Sequence, residues 1–89
     1  MVYLTKIDPS RNMARFYVLD VQPNLFGEWA LCKEWGRIGR PGRRKHITFV
    51  SETEARAALA VVLPRRRKRG YSVRSVKTLG SAEFQVFQG

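Results

Sequence analysis

The chain has 89 residues, with 17 lysines and arginines against seven acids, for a formal net charge of +10. Its single cysteine excludes an internal disulfide, and one cysteine with one histidine supplies too few ligands for a zinc site. A 44% hydrophobic share with ten aromatic side chains excludes wholesale disorder, and no apolar run approaches a membrane span.

One domain over residues 1–89 is expected. A surface field this positive draws polyanions: nucleic acid first, acidic membrane surfaces or acidic proteins second. Met1–Leu4 is too short an apolar run for a signal-peptide core, so a reduced, cytoplasmic setting is expected.

Val2–Ile7 is rich in β-branched and aromatic residues and ends in the turn cluster Asp8-Pro9-Ser10-Arg11-Asn12, which predicts a strand and a hairpin-like connection. Arg15–Val21 is apolar on both parities except at Asp20, the pattern of a central strand with both faces partly covered. After Gln22–Gly27, a third strand is expected over Glu28–Trp35, with Trp29 and Leu31 facing the core. Unbroken alternation would set Lys33 and Trp35 on that same face. A lysine there predicts that the strand has reached the margin of the sheet or twisted, leaving Trp35 free to face solvent.

The run Lys33–Lys45 holds Trp35, three glycines and six basic residues against the single acid Glu34. With Gly36, Gly39, Pro41 and Gly42 it reads as a strand end, a tight connection and a strand start. Indole and guanidinium on such a loop suit stacking on a sugar or base while phosphate is neutralised. Lys45–Val50 is the fourth predicted strand, with Ile47 and Phe49 inward.

Ser51-Glu52-Thr53-Glu54 is a capping box with two acids at the positive end of the helix dipole. Ala55, Ala58, Leu59, Val62 and Leu63 then recur at helical spacing as one apolar stripe. Pro64 removes a backbone donor and crowds the preceding turn, so a kink or stop is expected near Leu63. Arg65-Arg66-Arg67-Lys68-Arg69 is a run of five cations closed by Gly70. Tyr71–Lys77 could add a strand, although Val73 and Val76 are out of phase. Glu83–Phe87 alternates as a short edge strand or docking tail.

Trp35-Gly36-Arg37-Ile38-Gly39 resembles the signature of the WGR domain family. An Asn-x-x-x-Phe-Tyr segment before it (Asn12, Phe16, Tyr17), Phe49, Ser51, Glu54 and Ala55 after it, and the Gly70-Tyr71 pair are also similar to that family. The resemblance spans roughly Asn12 to Arg74 and implies a small stand-alone WGR protein, similar to the WGR domain of poly(ADP-ribose) polymerases. Together with the element pattern, the expected fold is α+β: a twisted antiparallel sheet of four to five strands with one helix packed across it.

The implied function is nucleic-acid binding, DNA favoured over RNA, with little sequence specificity and a preference for ends or nicks. The alternative is an adaptor that recruits an acidic or nucleoprotein partner through the same face. Trp35 is either the stacking ring, as the family implies, or a core residue like Trp29. Arg37, flanked by Gly36 and Gly39, would approach phosphate; its bland reading is a surface pair with Glu34 or another acid. Arg40, Arg43, Arg44 and Lys45 would be further phosphate contacts, and Arg65, Arg66, Arg67, Lys68 and Arg69 would extend the grip. Eleven of the 17 basic residues lie in 33–45 and 65–69 (six and five), where a merely solvated face would mix signs. Asn12 and Tyr71 resemble backbone-contacting positions of the family, although Asn12 is also a natural turn residue and Tyr71 could cap the core beside Phe49. Cys32 is expected to be a small buried hydrophobe, and His46 a structural or phosphate-contacting residue. No catalytic constellation is present: Gly36–Gly39 enters a strand rather than opening a helix, and the acids are scattered. Neither enzymatic activity, a cofactor nor a metal is expected.

Overall fold

A computed structural model describes residues 1–77 with their side chains and 84–86 as backbone. Five strands of six residues or more and one long helix form an α+β architecture. The strands are β1 (Val2–Asp8), β2 (Met13–Pro23), β3 (Trp29–Arg37), β4 (Arg43–Phe49) and β5 (Ser72–Lys77), with α1 (Glu52–Lys68) between the last two. A three-residue strand, β6 (Phe84–Val86), pairs with β5 at the edge, where the sequence predicts one. Glu83 and Phe87 of that prediction lie outside the described residues. All pairings are antiparallel and the sheet order is β4-β3-β2-β1-β5-β6.

The predicted turn after β1 is a single 3-10 turn at Pro9–Arg11. Asp8 accepts from the Ser10 amide, and Asn12 closes the turn in the left-handed region at φ 50°. Residues paired across strands share a face, so the register sorts the side chains into rows. On the side that α1 covers, one row is Pro23, Trp29 and Phe49, and the next is Val21, Leu31 and Ile47. Then come Val2, Leu19, Lys33 and Lys45, and after them Leu4, Tyr17, Trp35 and Arg43. Lys6, Arg15 and Arg37 end the face. Leu4, Leu19 and Leu31 are fully buried, and Ala55 of α1 reaches the same core.

Val73 and Val76 both pack on that core although they are out of phase. A register shift between Tyr3 and Leu4 resolves this: Leu4 pairs with Val73 and Tyr3 with Ser75, so Arg74 is the extra residue of a bulge. Its Nε donates to Thr5 Oγ1 at 2.8 Å, satisfying the buried hydroxyl.

The helix does not stop at Pro64 but runs on through Lys68 with the proline inside it. Pro64 and Ala60, the residue whose carbonyl loses its donor, are both exposed, so water can replace the missing bond. The Ser51 hydroxyl caps the helix by accepting from the Glu54 amide at 3.2 Å. At the other end, Gly70 at φ +99° forms a Schellman closure, with the Gly70 amide donating to the Arg67 carbonyl and the Tyr71 amide to the Arg66 carbonyl. That closure sends Tyr71 back towards the sheet.

Candidate nucleic-acid interface

The last turn of α1 lies beside the part of the sheet where the rows change from aliphatic to aromatic and cationic. Tyr17 and Trp35, cross-strand partners, stack with ring centroids 6.0 Å apart and an interplanar angle of 17°. Tyr71 meets Tyr17 edge-on at 5.9 Å, and the Arg66 guanidinium lies over Tyr17, 4.6 Å from its centroid. Arg15, Tyr17, Trp35, Gly36, Arg37, Arg66 and Tyr71 line a groove of about 450 Å³.

Trp35 falls between its two readings. Alternation does persist through Lys33, so the ring sits on the helix side, half-buried against the core while also lining the groove. Tyr71 packs with Tyr17 rather than Phe49, which lies two rows beyond Lys33. Arg37 does not pair with Glu34. It donates to the Asn12 carbonyl at 3.0 Å and to Asn12 Oδ1 at 3.3 Å, which joins two predicted site residues and leaves the Asn12 amide nitrogen as a donor.

The glycines of this stretch have different causes. Gly39, at φ +87°, occupies the third position of a turn closed by the Arg40 amide on the Arg37 carbonyl. Gly36 is required by close packing rather than backbone freedom, because an added Cβ would stand 3.0 Å from Gly42 Cα and 3.4 Å from the Phe16 ring.

Arg43 and Lys45 share the face of Trp35, whereas Arg44, between them, points to the opposite face. There its Nε meets Glu34 at 2.8 Å, and that hydrogen bond and charge hold its pKa above the ordinary value. Arg40 is exposed in the turn, and Arg65, Arg67, Lys68 and Arg69 are exposed at the helix end. Of the five consecutive cations only Arg66 enters the groove.

Sequence reading missed Arg15, which lines the groove, its row neighbour Lys6, and Lys33. The signal was available: Arg15, Tyr17, Leu19 and Val21 keep one parity, so the arginine had to share the face of the core. Burial lowers the Lys33 pKa, and the charges of Lys45, Arg66 and Arg65 lower it further. Ion pairs among the described residues join Met1 to Asp20, Arg11 to Asp8, Arg44 to Glu34 and Arg56 to Glu52, none of them in the groove. The face therefore carries uncompensated positive charge around stacked rings.

On the opposite face, Cys32 is half-buried rather than a core hydrophobe, with its sulfur 3.8 Å from Nδ1 of exposed His46. Burial, and then the charge of Asp20, push its thiol pKa up, away from thiolate chemistry. Among the described residues, no group of three or more His, Cys, Asp or Glu side chains could hold a metal. No helix among them is long and apolar enough to cross a membrane.

Comparison with known proteins agrees with the resemblance in the sequence. The family model described as WGR domain matches residues 1–78. Over 73 residues the chain is 44% identical to the uncharacterized protein y4dW of Sinorhizobium fredii (strain NBRC 101917 / NGR234). That alignment covers 82% of this chain but 36% of the relative. No solved structure matches the chain.

Proposed function

Taking as premise that the chain belongs to the WGR domain family, we propose that it is a non-catalytic module binding DNA with little sequence specificity, at ends, nicks or other interrupted duplexes. WGR domains serve as nucleic-acid-binding modules in poly(ADP-ribose) polymerase-like proteins. The observation that carries the reading is the groove itself, where stacked Trp35 and Tyr17 stand among Arg15, Arg37 and Arg66 with no acid in its lining. An interrupted duplex exposes a sugar or base face that an intact one hides, and a half-buried indole at the rim suits that face. Arg37, Arg43, Lys45 and the helix-end cations would hold phosphates, with Asn12 and Tyr71 as neutral donors. We place the protein in the cytoplasm, associated with the nucleoid.

The test is a gel-shift panel of blunt, nicked, gapped and single-stranded DNA and RNA at two salt concentrations. Trp35→Ala is expected to weaken nicked-duplex binding by about 1–3 kcal/mol and intact-duplex binding by less. Equal losses on both substrates would reduce the interface to a plain basic patch. RNA competing as well as DNA would remove the preference for DNA.

An adaptor role is the second reading, and a separate feature favours it. Leu25 and Phe26 are 99% and 86% exposed on a turn fixed by the Phe26 and Glu28 amides donating to Asn24 Oδ1. On that reading Phe26→Ala abolishes capture of a protein partner and leaves DNA binding unchanged.

A further inference from the structure

Five consecutive cations end α1, yet their surroundings differ. Arg65, Arg67, Lys68 and Arg69 are exposed, while Arg66 is half-buried and lies across the ring of Tyr17. Its Nε is sealed from solvent and has no hydrogen-bond partner among the described residues. A guanidinium normally satisfies that donor with a carboxylate or carbonyl. None is at hand, because the groove lining holds no acid and the described ion pairs lie elsewhere. The backbone of Arg66 is fixed, since its carbonyl accepts from the Tyr71 amide in the helix closure. Its side chain, by contrast, makes no hydrogen bond or ion pair among the described residues and lies against the Tyr17 ring.

Resting on the nucleic-acid reading above, we propose that Arg66, alone among the five, is the phosphate anchor of the groove, and that it leaves the Tyr17 ring to take its ligand. A phosphate seated between Arg15, Arg37 and Arg66 accepts from the Arg66 Nε–H and an Nη–H on two of its oxygens, a two-pronged geometry that an ammonium cannot reproduce. The move uncovers the face of Tyr17 beside Trp35 and widens the stacking surface from one ring to two. The groove volume of about 450 Å³ falls in the range of clefts that hold small ligands. The other four cations act through charge alone.

Charge-conserving substitutions separate the two roles. In Arg65→Lys, Arg66→Lys, Arg67→Lys and Arg69→Lys, the salt dependence of binding to a nicked duplex stays the same. Affinity falls about tenfold in Arg66→Lys and less than about twofold in the others. Equal effects at all four positions, with wild type binding normally, would overturn the proposal while leaving the nucleic-acid reading intact.

A second measurement needs neither a variant nor DNA. With inorganic phosphate added to the wild-type chain, NMR should show the Arg66 Nε–H resonance and the Tyr17 ring resonances moving more than those of any other arginine or tyrosine. A different arginine responding, or Tyr17 staying fixed, would also overturn it. Should wild type bind no nucleic acid, the function proposed above falls and the phosphate titration still decides the role of Arg66.

Discussion

Near the start of α1, β2, β3 and β4 present Val21, Leu31, Ile47, Trp29 and Phe49, and the helix closes over them. Further along the same strands and on the same face, they present Tyr17, Trp35, Arg43, Arg15 and Arg37. The first region is core and the second is the candidate interface, and no loop or domain boundary separates them. Helix length draws the line: α1 ends at Lys68, where the rows turn aromatic and cationic. A binding platform made this way inherits the rigidity of the core, and its stacking ring is a direct cross-strand neighbour of a buried tyrosine.

The largest effect should follow from breaking the core end. Leu31→Ala removes a side chain that is 1% exposed and is expected to cost about 2–5 kcal/mol of unfolding free energy, measured by urea denaturation. If the two ends are as distinct as proposed, the fraction that remains folded binds DNA with unchanged affinity. A loss of affinity in that folded fraction would mean that core and platform cannot be treated as separate.

Gly42→Ala strikes the platform from beneath. Its Cβ would lie 2.6 Å from the Trp35 carbonyl oxygen and 2.7 Å from the Phe16 ring, so the end of β3 must shift. About 1–3 kcal/mol of stability should be lost through overpacking, with weaker DNA binding as Trp35 moves. A variant that is destabilised but binds normally would show that the position of Trp35 is not critical.

Which parts of this arrangement are legible in the sequence follows from the range of the signals involved. Alternation and turn residues locate β1 to β4, and Ser51 marks the start of the helix, because these are local rules. The bulge that puts Val73 and Val76 of β5 on one face is not local. Tyr71 shows the limit. The Gly-Tyr pair is visible in the chain, but its place against Tyr17 and Arg66 depends on a helix closure meeting a strand more than fifty residues away in sequence. That the helix continues past Pro64 is hidden for a related reason, since the cost of the proline depends on whether the orphaned carbonyl faces core or water. Arg44 looks like Arg43 and Lys45 in a list of charges, and only strand parity sends it to the other face.

Parity gives the next prediction. With about five phosphates engaged, log K against log salt should have a slope near −4 to −5. Arg43→Gln and Lys45→Gln should each reduce its magnitude by about one, while Arg44→Gln leaves it unchanged. Equal responses from all three would mean that the bound polyanion wraps the edge of β4 instead of lying on one face.

The smallest effect belongs to Lys33, which stands where the two regions meet. Its folded pKa lies below the ordinary lysine value of 10.5, through burial first and neighbouring cations second. Between its folded pKa and that value, the unfolded chain holds the proton and the folded chain does not, so stability rises with pH across that window. At neutral pH the charge is retained as a constant penalty. Lys33→Gln should therefore stabilise the fold slightly, within about 0.5 kcal/mol, while weakening DNA binding. A polyanion on this face offsets the crowded cations, so DNA should raise the Lys33 pKa, and binding in the upper part of the window should take up protons. Following the Lys33 ammonium by NMR across alkaline pH, with and without DNA, checks the sign. A titration unmoved by DNA would place Lys33 outside the footprint and return it to the core, whose row it shares with Leu19.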